Sequence, residues 1–111
     1  MIFIFGPLWS GKRAAAKTIL HCDDAALARR AVWDVQELVR ARTDVEALAD
    51  DLSRYEAVIA TEVGGGVVPA DRAEREARER AGRLNCLLAE RADIAVRVFC
   101  GIPKAIKGEL P

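Results

Sequence analysis

Met1–Arg13 reads MIFIFGPLWSGKR, and the fold turns on this stretch. Ile2–Phe5 is a short, β-prone apolar run that stops at Gly6, the pattern of a buried strand. From Gly11 to about Leu20 the residues favour helix, with Ala14, Ala15 and Ala16 among the strongest formers. Between strand and helix, Gly6, Gly11 and Lys12 stand at the spacing G-x-x-x-x-G-K, the frame of a phosphate-binding loop. Such a loop converges backbone N–H groups on phosphate oxygens at the positive end of the following helix. Gly6 and Gly11 allow the tight curvature, and Lys12 supplies a cation for the β and γ oxygens. With Pro7, Leu8, Trp9 and Ser10 filling the span, Gly6–Arg13 is the predicted nucleotide-binding segment. The residue after the lysine normally offers Mg2+ a hydroxyl. Here it is Arg13, a donor-only cation that cannot ligate a metal. Ser10 and Thr18 are the nearest hydroxyls, and neither stands at that position. The competing reading is a turn that keeps its glycines and lysine without a ligand.

The rest of the chain alternates helix and strand signals. Leu27, Ala31, Val35, Leu38 and Val39 recur at helical spacing and predict a helix from Asp23 or Asp24, with those two acids as its cap. Ala31, Trp33 and Val35 also alternate, so residues 31–36 stay open between helix and strand. Thr43 and Glu46 form a capping box before the stripe Val45, Leu48, Leu52, Tyr55. Ala57–Thr61 is a second buried strand. It runs into EVGGGVVP, a glycine turn whose Pro69 suits the first turn of a helix. Asp71–Ala92 reads as one long helix, with Ala73, Ala77, Ala81, Leu84 and Leu88 on its inner face. Glu74–Arg78, Glu76–Arg80 and Glu79–Arg83 are spaced to pair on its wet side. Gly82 interrupts it at a cost against alanine, which predicts that packing or a close approach requires glycine there. Ile94–Phe99 is the last strand, closed by CGIP. The sum is a single α/β domain over 1–111 with a small, mostly parallel sheet of three strands, and a fourth if 31–35 is one.

Composition narrows the function. Seventeen basic and seventeen acidic residues leave no global field for nucleic acid or an anionic membrane, so any anion site is local. No apolar stretch approaches the roughly 20 residues that span a bilayer. Ile2–Phe5 lacks the length and the basic flank of an export signal. Cys22, Cys86 and Cys100 are odd in number and far apart, as expected of thiols in a reducing cytoplasm.

Three stretches then carry a resemblance: GPLWSGK, EVGGGVVP and GIPKAIKG, with AGRLNCLLAERAD between the last two. In this order they resemble the adenosylcobinamide kinase / adenosylcobinamide-phosphate guanylyltransferase family, over residues 1–20 and 56–108. That family has an N-terminal phosphate loop, an N-E-V-G-x-G-I-V-P turn, an A-G-x-x-N-Q-x-L-A helix and a G-I-P-x-x-x-K tail. The resemblance implies a P-loop NTPase-like α/β fold, usually a homotrimer. It also implies GTP or ATP as nucleotide, adenosylcobinamide as phosphoryl acceptor, and guanylyl transfer through a histidine. Gly6, Gly11 and Lys12 match the loop; Glu62, Val63, Gly64, Gly66 and Pro69 match the turn; Gly82 and Asn85 match the helix. Arg13, Thr61 and Cys86 replace the family's Ser, Asn and Gln. The H-x-x-x-R-P segment that carries the nucleophile and the acidic strand end D-C-L-T are both absent; WDVQE is only faintly similar to the W-x-T-x-E segment.

Lys12 and Glu62 are therefore the predicted catalytic pair, with Mg2+ lacking its usual hydroxyl ligand at Arg13. His21, the lone histidine, sits near a helix end and does not align with the guanylylated residue, so that transfer is expected to be lost. Asp34 is a candidate metal carboxylate if 31–35 is a strand; no metal-ligand set is otherwise predicted. Lys104 and Lys107 are read as solvated. Two functions stay open: a shortened kinase of cobalamin assembly, or an inactive paralogue that binds a nucleotide, a corrinoid or a partner. Either is expected to self-associate, because a small sheet leaves apolar edges to cover.

Overall fold

The computed structural model describes residues 1–63 and 70–111, so Gly64, Gly66 and Pro69 lie outside the described residues. The elements are β1 (Ile2–Gly6), α1 (Lys12–Leu20), α2 (Asp24–Arg30), β2 (Ala31–Val32), a 3-10 helix (Val35–Arg40), α3 (Val45–Leu52), β3 (Ala57–Thr61), α4 (Arg72–Arg91), β4 (Ile94–Phe99) and β5 (Ile102–Lys107). They form one five-stranded sheet in the order β2-β3-β1-β4-β5. The first four in that order are parallel, with Ile2 opposite both Ala57 and Ile94, and β5 runs antiparallel along β4. The phosphate-loop strand is therefore central, with a neighbour on each side.

Period-two alternation sends side chains of each strand to both faces. Phe3, Val58 and Ala60 meet the 3-10 helix, α3 and α4 through Val39, Leu48, Leu84 and Leu88. Ile4, Ile59, Val96 and Val98 meet α1 and α2 through Ala16, Ile19 and Leu27. The result is the three-layer, P-loop NTPase-like arrangement expected. Leu84 and Leu88 are fully buried, and each stabilises the fold by about 1.5–3 kcal/mol. Among the described residues, no helix is long and apolar enough to cross a membrane.

The structure departs from several of these expectations. Residues 31–36 are neither one helix nor one strand: the chain leaves α2 at Arg30, pairs with β3 over two residues, then winds into the 3-10 helix. The cap of α3 is Asp44, whose Oδ1 accepts from the Ala47 N–H at 3.1 Å, and Thr43 lies one residue too early for a capping box. Tyr55 falls beyond that helix and is exposed. Asp23 alone caps α2, accepting from Ala26 N–H. On α4, Ala73 faces solvent. Glu74 feels the charge of Arg78 as expected but pairs with Arg40 of the 3-10 helix, Glu76 pairs within the helix with Arg72, and Arg83 reaches Glu46 of α3, so part of the helix's charge ties it to its neighbours. The sheet also has a fifth strand that the reading of GIPKAIKG as a tail did not foresee. Lys107 of β5 is exposed as expected, and its Nζ also donates to the carbonyls of Ala89 and Glu90 near the end of α4.

Glycine is required at some positions and not at others. A Cβ at Gly6 would collide with the Val98 carbonyl oxygen of β4. At Gly82, by contrast, a Cβ would meet nothing within 4 Å among the described residues, and none of these makes the predicted close approach. Gly82→Ala should then raise stability by about 0.5–1 kcal/mol, the usual helix-interior gain over glycine. Gly6→Ala should lower it by about 1–3 kcal/mol through overpacking. Urea titration of both variants checks the pair; a Gly82→Ala loss would mean that space is filled after all.

Candidate functional site

The sequence around β1 builds the site from its end outward. β1 delivers Gly6 to the C-terminal edge of the sheet, where the chain turns through Pro7–Ser10 and enters α1 at Gly11. Gly11 holds φ 91°, a left-handed conformation natural to glycine, and a Cβ there would stand 3.1 Å from Gly101 Cα. No side chain caps α1 and its first turn carries no acid, which leaves its N–H groups available to an anion. Lys12 folds back over the loop and donates from Nζ to the carbonyls of Pro7 at 2.7 Å and Gly6 at 3.3 Å. Burial lowers its affinity for a proton, while the charges of Asp34 and Glu62 oppose that shift. Trp9 takes a positive φ of 62° and stands 91% exposed at the tip of the loop. Ser10 is buried; its Oγ has no partner among the described residues, and its carbonyl accepts from the Gly101 N–H at 2.7 Å. The turn between β4 and β5 is thus pinned to the phosphate loop.

Arg13 lines the third cleft described below and is held by α2 and Trp33. Its Nε donates to Asp24 Oδ1 at 3.0 Å, and its guanidinium lies 5.7 Å from the centre of the Trp33 ring. That interaction, joined by Lys17, holds the Asp24 carboxyl below the usual range. The position that normally offers a hydroxyl to Mg2+ therefore offers nothing to it. His21 caps the opposite end of α1 in a left-handed conformation, with N–H bonds from 21 and 22 closing the helix. The nine-residue helix puts it about 13 Å along the axis from the loop.

Glu62 follows β3, and its N–H extends the sheet by bonding the Gly6 carbonyl at 2.9 Å. Both of its carboxylate oxygens are taken by Arg97 of β4, at 2.6 and 3.0 Å. Those hydrogen bonds, more than burial opposes, hold the Glu62 carboxyl below the usual range, with help from the charge of Lys12. Gln36, buried in the 3-10 helix, accepts from the Thr61 N–H and fixes the end of β3. A cleft of about 440 Å³ opens beside these groups, lined by Leu8, Gln36, Arg40, Glu62 and Glu74. A second, of about 320 Å³, joins Glu62 to Phe5, Gly82 and Asn85, whose Oδ1 is buried without a partner among the described residues. A third, of about 380 Å³, lies between the loop and the end of β2 and is lined by Trp9, Lys12, Trp33 and Asp34.

The structure thus gathers Gly6–Lys12 and Glu62 at one sheet edge, with Gly82 and Asn85 behind Glu62. It leaves out Lys104, which is exposed opposite Arg97 on β5. Arg97, Gln36 and Gly101 were missed. Arg97 carried one signal, being the only charge inside the apolar run Ile94–Phe99; Gln36 carried none.

Against known families, the model described as cobinamide kinase / cobinamide phosphate guanyltransferase matches residues 21–106. The chain belongs to this family. The role that comes with membership is a cobinamide kinase/guanyltransferase-like one in cobalamin biosynthesis. The matched stretch takes in everything from the end of α1 to β5, and residues 1–20, with the phosphate loop, lie before it. No curated protein matches the chain.

The Glu62–Arg97 pair has a pH signature. A carboxyl whose pKa is depressed on folding contributes stability above its unfolded pKa and loses it as pH falls through the folded one. Glu62→Gln should cost about 0.5–1 kcal/mol at neutral pH, as a half-exposed pair does. The gap to the parent should begin to narrow as pH falls below the ordinary Glu range of about 4.3 and close only below the lowered folded value. Denaturation midpoints from pH 3 to 7 check this; a gap independent of pH would assign the loss to packing.

Proposed function

We propose that this chain binds a nucleoside triphosphate, GTP or ATP, on the Gly6–Arg13 loop and retains the kinase half of the family's chemistry. The observation that supports this most is Lys12, folded onto the loop carbonyls at the uncapped start of α1. The free N–H groups there and the ammonium take the β and γ oxygens. Mg2+ bound with the triphosphate would neutralise part of their charge. Glu62, kept ionised by Arg97, faces the acceptor, a corrinoid such as adenosylcobinamide. The acceptor hydroxyl oxygen attacks the γ-phosphorus and forms the new O–P bond. The bond to the bridging oxygen breaks, the nucleoside diphosphate leaves, and Glu62 takes the hydroxyl proton. Gly82 and Asn85 border the space behind Glu62 where part of the acceptor would lie.

Guanylyl transfer falls outside this reading, since His21 stands at the far end of α1. The second reading, a binding module without chemistry, is favoured by Arg13 at the metal position. One experiment separates them: ATP and GTP binding with Mg2+, then phosphorylation of adenosylcobinamide. Lys12→Ala should weaken triphosphate binding about 10- to 100-fold, the effect of a lost charged hydrogen bond. Binding without turnover would leave the module; no binding by the parent chain would sink both. A guanylyl adduct on the protein would overturn the assignment of His21.

The chain is further proposed to work as a single domain in the cytoplasm and as a homo-oligomer, a trimer by family. Phe99, Ile102 and Ile106 stand exposed near the β5 edge and support that last point. Light scattering should give a multiple of the chain mass, and a monomer at working concentration counts against it.

A further inference from the structure

The third cleft has a wall that the proposed chemistry does not use. After β2 the chain turns through Asp34 at φ 50°, ψ 42°, a left-handed conformation that few residues other than glycine, asparagine and aspartate adopt. Asp34 stands at the cap position of the 3-10 helix, yet its side chain makes no cap hydrogen bond. Among the described residues its carboxylate has no hydrogen-bond or ion-pair partner. The other nearby acids are committed: Glu62 to Arg97, Asp24 to Arg13 and Lys17, Glu37 to Arg40. Asp34 is exposed and lines the same cleft as Ser10, Gly11, Lys12, Arg13 and Thr61; its charge acts on Lys12, while Arg13 is paired with Asp24. It does not simply neutralise the lysine, whose ammonium is bonded to Gly6 and Pro7 instead.

A bare carboxylate facing a triphosphate repels it unless a cation lies between them. The cation that travels with triphosphates keeps several waters and takes one or two carboxylates beside phosphate oxygens. No group of three or more His, Cys, Asp or Glu that could hold a metal is gathered among the described residues, so phosphate oxygens would have to complete any such site. We propose that Asp34 holds the Mg2+ of the bound nucleoside triphosphate from the β2 side of the loop. It stands in for the hydroxyl that Arg13 displaces. This rests on the triphosphate reading of the loop.

The test is a triphosphate titration of the parent chain and Asp34→Asn, each with Mg2+ and with EDTA. Asparagine keeps the size and tolerates the backbone conformation. In EDTA the variant should bind ATP as tightly as the parent or up to several-fold tighter, because a like charge is gone. With Mg2+ the parent should tighten, and the variant should fall at least 10-fold behind it. Water-proton relaxation with Mn2+ and ATP gives a second readout, an enhancement present in the parent and lost in Asp34→Asn. Asp24→Asn should keep both responses. An equal Mg2+ gain in parent and Asp34→Asn overturns the proposal, as does an equal loss with and without metal. A parent that binds no triphosphate overturns the loop reading with it.

Discussion

Two donors meet at the carbonyl oxygen of Gly6: the Glu62 N–H at 2.9 Å and the Lys12 ammonium at 3.3 Å. The first is the last rung between β1 and β3, and the second draws the lysine across the loop. On the other side of the same residue, the Val98 carbonyl fills the place of the missing side chain. Three strands and the loop lysine are therefore referred to one backbone position. Lys12 has its orientation, and Glu62 its place at the sheet edge, only because β1, β3 and β4 are in register there.

Around that point the charges are arranged in closed pairs. Arg97 closes on Glu62, Arg13 on Asp24, and Arg40 on Glu37 and Glu74. A chain with no net charge thereby keeps its basic groups from drawing anions at random, and the local field near the loop comes from the start of α1 and Lys12. Arg13 illustrates the point. Its charge stands at the wall of the loop cleft and is held there by Asp24 of α2, so the substitution removes a ligand and leaves a paired cation in its place.

Much of this was legible because it is local. The strand–glycine–helix succession at the start, the AVIAT strand and the limits of α4 follow from short-range pattern, and the structure reproduces them within a residue or two. What was not legible is set by partners far along the chain. Asp44 displaced Thr43 as a cap through a one-residue choice that both residues could have met. Gly82 looked like a contact point because glycine in a helix is unfavourable, but only coordinates say whether anything approaches it. β5 was hidden by Pro103 and its lysines, which suit an edge strand and weaken the pattern. Arg97 stood out as an odd residue, and nothing nearby named Glu62 as its partner, 35 positions away.

The central place of β1 has a consequence for how the molecule comes into being. Its residues are made before those of β3 and β4, yet Ile2 pairs with Ala57 and Ile94, so both neighbours must be made before the strand is covered. The Ser10–Gly101 bond is later still. Long-range parallel pairing of this kind is slow, and an apolar strand waiting for it is exposed to wrong partners. Anything that gathers the loop early, a bound anion included, would shorten that wait. The residues proposed to grip phosphate would then also guide the chain home.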